Sequence, residues 1–201
     1  MQAIQEWMKW PAVLLLLVFA APAGAGNLSF AAVDRQVRPD LLSKAVRALQ
    51  AHPEARHDRI GVVDFSKPST EPRFYLINLK DGKTEAFLTA HGMGSDPVQR
   101  GIPQKFSNIA NTKASSLGAY LAANTYIGKH GLSLTLDGLD PTNSSARARD
   151  IVLHSAPYMT TNFISSHGRP GRSWGCFVVD PKVLPHVITW LQGGTLIYAG
   201  K

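Results

Sequence analysis

What most limits the fold of this chain is its texture from residue 60 onward, where short β-branched and aromatic runs alternate with turn-forming residues. Ile60-Gly-Val-Val-Asp-Phe65 is the first such run. Arg73-Phe-Tyr-Leu-Ile-Asn-Leu79 and Thr84-Glu-Ala-Phe-Leu-Thr89 flank Asp81-Gly82, and Asp-Gly between two strand-like runs predicts a β-hairpin. Leu132-Ser-Leu-Thr-Leu136 alternates apolar and polar residues, as a half-buried strand does. Ile151-Val-Leu153, Cys176-Phe-Val-Val179 and Thr195 to Ala199 complete the set. The pattern calls for a mostly β (α+β) fold.

Two helices interrupt it. Arg38 to His52 carries apolar residues at 41, 42, 45, 46 and 49, which is helical spacing, with Pro39 near its start and Pro53 closing it. Pro181 to Gln192 reads as a short helix stopped by Gly193-Gly194. Between the β runs, Met93 to Ser116 is rich in Gly, Pro, Ser and Asn and reads as a long loop, a feature that is often functional in a compact domain. There is no internal repeat and no sign of a second core. The expected organisation is a leader over 1–25, an N-terminal helical segment over 26–59, and a domain over 60–201 on which that segment packs.

The leader has the pattern of a secretory signal peptide. Lys9 and Trp10 precede an apolar run from Pro11 to Ala21, too short for a hydrocarbon core that takes about 20 residues. It ends in Ala23-Gly24-Ala25, the small-x-small pattern that signal peptidase reads. Glu6 offsets Lys9, so an uncleaved N-terminal anchor stays open as the alternative. No cysteine follows the run, which excludes a lipoprotein anchor. The expectation is a periplasmic or secreted protein with no stable membrane span after processing. Its 21 Lys+Arg against 14 Asp+Glu suit an anionic cell-wall polymer or membrane surface rather than nucleic acid, which an exported protein rarely meets. The charges are dispersed, so a plain soluble surface reads equally well.

In an oxidising compartment cysteines usually pair, and this chain has one, Cys176, in the stretch GRPGRSWGCFVVD. It is either a buried, inert residue or a reactive thiol. A nucleophilic thiol needs a base, and three histidines invite attention: His91 (HGMGSD), His154 (IVLHSAP) and His167 (SSHGRPG). His154 directly follows a buried-looking strand and lies 22 residues before Cys176, enough chain to cross a loop and return on an adjacent strand. Ser155 and its carbonyl stand where they would accept from the imidazole. Gly175 suits a backbone that approaches a ligand closely, so that amides around Cys176 form an oxyanion site. An ordinary turn before a strand explains the same glycine.

A strand-borne His154 followed by Ser173-Trp174-Gly175-Cys176 resembles the L,D-transpeptidase (YkuD-type) catalytic domain, and within it the murein L,D-transpeptidase catalytic domain subfamily. The resemblance extends over most of residues 60–199 through Phe106–Asn108, Ser115–Tyr120, Gly128–Asp140 and Arg149–Ser155. It implies a β-sandwich or barrel with a few short helices, a catalytic domain over 60–201, and a groove lined by Cys and His on neighbouring strands. It further implies Cys176 as nucleophile, His154 as base, Ser155 as the carbonyl that orients the histidine, and the Gly175 and Cys176 amides as the oxyanion site. Ser173, Trp174, Arg172, Arg169, His91 and His167 are the candidate substrate-binding residues. The implied partner is a peptidoglycan stem peptide, the protein is expected to be a monomer, and no cofactor is implied. No metal is required, because there is no HExxH and the lone cysteine lacks zinc spacing.

Two departures matter. Trp174 stands where the better-known branch has histidine, and Val178 where that branch has an arginine suited to a carboxylate. Arg169 or Arg172, in the glycine-rich loop before the cysteine, is the candidate replacement. Such an enzyme would attack the carbonyl of the third stem residue, expel the terminal D-Ala, and pass the thioester to an amine or to water. The thiol is expected to ionise below the free-thiol range. The competing readings are a noncatalytic peptidoglycan-binding protein with a relic thiol, and a metal protein using His91, His154, His167 and Cys176.

Overall fold

The computed structural model describes residues 36–201, so the leader assigned to 1–25 lies outside the described residues. The elements run α1 (Pro39–Ala51), β1 (Arg56–Asp64), β2 (Phe74–Asn78), β3 (Thr84–Phe87), β4 (Gly118–Gly128), β5 (Gly131–Gly138), β6 (Val152–Ser155), α2 (Thr161–His167), β7 (Phe177–Val179), α3 (Leu184–Leu191) and β8 (Thr195–Gly200). The fold is mostly β. All eight strands join one mixed sheet in the order β3-β2-β1-β8-β4-β5-β6-β7. β1 pairs with β8, and β6 with β7, in parallel, while the remaining neighbours are antiparallel.

Period-two alternation explains how one sheet serves two cores. Phe74 and Leu76 of β2 face one way, with Val63, Tyr120, Leu134, Leu153, Phe177 and Ile197, and α3 closes that core with Leu184, Val187, Ile188 and Leu191. Tyr75 and Ile77 face the other way, with Ile60, Val62, Ala119 and Leu196, and α1 covers them with Leu41, Leu42, Ala45, Val46 and Leu49. Those α1 residues are the apolar positions that the spacing singled out.

The hairpin expected around Asp81-Gly82 is β2–β3, paired from Phe74↔Phe87 to Ile77↔Thr84, with Gly82 at φ +73. Residues 93–116 contain no helix or strand, as their composition suggested. Two elements have little sequence signal. β4 contains Ala119, Ala122 and Ala123, and its distal half is exposed, so its strand character comes from pairing with β8 and β5. The seven-residue α2 is begun by Thr160 Oγ1 accepting from Phe163 N at 3.3 Å and stopped by Gly168 at φ +71.

Candidate active site

The parallel pairing of β6 with β7 aligns Leu153 with Phe177 and His154 with Val178. Leu153 and Phe177 point into the core. Their neighbours in sequence, His154 and Cys176, therefore project from the opposite face. Both line one groove of ≈ 860 Å³, together with Val152, Asp150, Arg149 and Trp174. A one-residue slip between these strands would send histidine and cysteine to different faces.

His154 is 3% exposed. Its Nδ1 lies 2.9 Å from Ser155 O. A carbonyl can only accept, so Nδ1 carries the proton and Nε2 keeps its lone pair. Cys176 is half-buried, and its thiol donates to Asp150 O at 3.4 Å. Asp150 adopts the left-handed conformation at φ 53 to present that carbonyl.

The turn before the cysteine is held by Ser173. Its Oγ donates to Cys176 O at 2.8 Å and accepts from Gly175 N at 3.1 Å. Its backbone is pinned by Ser173 N donating to His91 O at 2.9 Å and by Met93 N donating to Ser173 O at 2.8 Å. Gly175 sits at φ +121, and a Cβ there would lie 2.7 Å from Ala114 O and 2.8 Å from Ile151 Cδ1. No other residue fits. The Gly175 amide, expected to face an oxyanion, is instead spent on Ser173 Oγ. Trp174, the replacement for a histidine, projects outward at 65% exposure with Lys113 Nζ 4.5 Å from its ring centroid.

Electrostatics correct the expectation of a thiolate. Burial pushes the Cys176 thiol up, offset by a backbone hydrogen bond from Val152 and by the charges of Lys129 and Arg149. Burial also pulls His154 down, against the hydrogen bond to Ser155 that raises it. Both shifts favour the neutral forms, a thiol and an imidazole, over a preformed ion pair.

The other candidates fall elsewhere. His91, His167 and Arg169 line a second cavity of ≈ 170 Å³ behind the 168–172 loop, and Arg172 borders both cavities. His91 is buried between Arg73, whose Nη2 donates to His91 Nδ1 at 2.8 Å, and Asp96, whose Oδ2 is 3.3 Å from His91 Nε2. His167 is spent on Phe163, with Nδ1 2.9 Å from its carbonyl and the rings stacked at 3.9 Å. Arg169 donates twice to Gln99, to its carbonyl and to its Oε1, each at 2.8 Å. Arg172 donates to Asp96 O. The histidines and thiol of the metal reading are thus divided between two cavities. Among the described residues no group of three or more His, Cys, Asp or Glu is placed to hold a metal ion, and no helix is long and apolar enough to cross a membrane.

Several groove residues had no individual signal in the sequence. Arg149 donates to Ser107 O at 2.6 Å and Ala114 O at 2.5 Å, fixing the long loop beneath Gly175. Lys129 and His130 reach the groove from the tip of the β4–β5 hairpin. Both lie in the stretch Gly128–Asp140 that carries the family resemblance, but a surface turn residue looks the same whether or not it meets a site.

A family model described as L,D-transpeptidase catalytic domain matches residues 33–199. Among solved structures, an L,D-transpeptidase from Mycobacterium smegmatis is 13% identical with a TM-score of 0.43, over 72% of this chain and 59% of that one. One from Mycobacterium tuberculosis H37Rv is 12% identical at TM-score 0.45, over 72% and 58%. One from Stackebrandtia nassauensis is 17% identical at TM-score 0.42, over 74% and 58%. The chain thus spans less than two thirds of the length of these proteins. No curated protein matches.

Proposed function

Because the chain belongs to the L,D-transpeptidase catalytic domain family, we propose that it is a cysteine-dependent acyltransferase acting on peptidoglycan stem peptides. The observation that carries this is the pairing of β6 with β7, which turns Cys176 and His154 into one groove while Ser155 O holds His154 Nδ1. His154 Nε2 removes the thiol proton as Cys176 Sγ attacks the carbonyl of the third stem residue. With both groups neutral at rest, proton removal and attack belong to one step. The tetrahedral intermediate collapses, the imidazolium returns its proton to the departing D-Ala nitrogen, and a thioester remains on Cys176. An amine of a second stem then attacks the thioester to give a crosslink, and water in its place gives L,D-carboxypeptidase activity.

With the Gly175 amide engaged by Ser173, oxyanion stabilisation falls to the Cys176 amide. Arg172 is the remaining candidate for the stem carboxylate, since Arg169 lines the other cavity. Export to the periplasm or beyond the cell stays part of the proposal, resting on the apolar run at 11–21. The raised thiol supports the second reading, a binding protein with a relic cysteine. Incubation with a disaccharide tetrapeptide, followed by mass spectrometry of products and of intact protein, separates them. Acylated Cys176 with release of D-Ala is expected. Bound but unaltered peptide would establish the relic.

A further inference from the structure

The β4–β5 hairpin carries a histidine to the site that the reaction above does not use. Its strands pair to the end, Gly128 opposite Gly131, and Gly131 at φ +73 closes the turn that exposes Lys129 and His130. A bulge in β4 between Ala122 and Thr125 interrupts the register, and such bulges bend and re-aim a strand. The result is that the His130 ring lies on the His154 ring, with centroids 4.2 Å apart and planes within 21°. His130 is exposed while His154 is buried.

We infer that His130 is a positioning residue for His154: its ring holds the His154 imidazole flat in the groove. The inference rests on His154 acting as the base proposed above. One hydrogen bond, Nδ1 to Ser155 O, pins an edge of the imidazole but leaves the ring free to rock about it. The stacked face of His130 removes that freedom. The charge follows from the same contact. The titratable groups that share this groove with His154 are Tyr126, Lys129 and His130 from the hairpin, Lys113 from the long loop, Arg149 and Asp150 before β6, Tyr158 after it, Arg172 in the 168–172 loop, and Cys176 just before β7. Burial disfavours a charge on His154. Two stacked imidazolium rings would repel, and Lys129 adds to that field. A base that must stay unprotonated gains from cationic neighbours.

The test compares wild type, His130→Phe and His130→Ala. Phe keeps a flat ring without the charge, and Ala removes both. Nuclear magnetic resonance titration of the His154 ring is the primary readout, because it needs no substrate. In both variants the His154 midpoint is expected to move to higher pH. Acylation by tetrapeptide at pH 7.5 is expected to fall about tenfold in His130→Ala, as misplacement of a reacting group does, with kcat affected more than KM. His130→Phe is expected to recover most of that rate at pH 7.5 while losing activity in mild acid. An unchanged His154 midpoint in both variants overturns the inference, as does a His130→Phe no better than His130→Ala. If the midpoints move as expected while wild type leaves tetrapeptide untouched, the proposed reaction fails and the positioning role stands.

Discussion

Acid should destabilise this protein through His91, and the structure says by how much. Arg73 is wholly buried and donates to Thr89 O, Lys67 O and His91 Nδ1. Because Arg73 has only N–H groups to offer, His91 Nδ1 must present a lone pair, and its Nε2–H faces Asp96 Oδ2. A proton added to Nδ1 would confront the guanidinium. Burial and the Arg73 charge together pull His91 from 6.5 down to about 4, with Arg172 adding to them and Asp96 opposing. The folded-state value is depressed, so the unfolded chain binds the extra proton between those limits, and stability is lost as pH falls below 6.5. From pH 7.5 to 4.5 the loss is about 2.5 kcal/mol, at 1.36 kcal/mol for each unit of pH over which the two states differ by one proton. The assay is urea unfolding at a series of pH values for wild type and His91→Gln. Glutamine accepts from Arg73 and donates to Asp96 but does not titrate. The absolute stability of the variant is immaterial. The difference between the two curves should fall with pH on the acid side by about 2–3 kcal/mol. A flat difference, or one of opposite sign, would refute the assignment of His91 as a buried neutral residue.

Other outcomes follow from the same structure. Alkylation of Cys176 by a small neutral reagent should inflect at or above the ordinary thiol range, because burial pushes the thiol up; an inflection near neutrality would mean a preformed thiolate. His154→Ala should cost about 10²-fold or more in acylation while leaving thermal unfolding nearly unchanged, and a rate within a few-fold of wild type would remove His154 from the base role. Gly175→Ala should lower stability by about 1–3 kcal/mol through its strained φ alone, and more through the clash with Ala114 O, as read by thermal melts. Arg172→Ala should lower kcat/KM for tetrapeptide by about 1.5–3 kcal/mol, the scale of a charged hydrogen bond. Arg169→Ala, whose guanidinium is tied to Gln99, should stay close to wild type, and the reverse order would move the carboxylate site to the second cavity.

Local pattern was enough for α1, for the hairpin β2–β3, for β5 and for the long loop, because each follows from spacing or turn chemistry within a few residues. It was also enough to single out Cys176 and His154, a lone thiol and a histidine at a strand end, which the folded sheet turns into one groove. β4 escaped because half of it is exposed and its strand state is imposed by β8 and β5. Three of the suspected substrate contacts, His91, His167 and Arg169, line another cavity: for His167 and Arg169, chain proximity to the cysteine motif says nothing about which side of the 168–172 loop a side chain takes, and His91, 85 residues away, is placed only by the fold. Ionisation too was beyond the sequence: desolvation is a property of the packed neighbourhood, and it pushes the Cys176 thiol up where the lone cysteine and its motif suggested a thiolate. The chemistry available to this protein is written in residue identity. Whether sulfur and imidazole share a face is set by the register of β6 on β7, a contact between segments 22 residues apart at Cys176 and His154. What lies over the imidazole is set by a hairpin whose tip meets it only in the folded sheet.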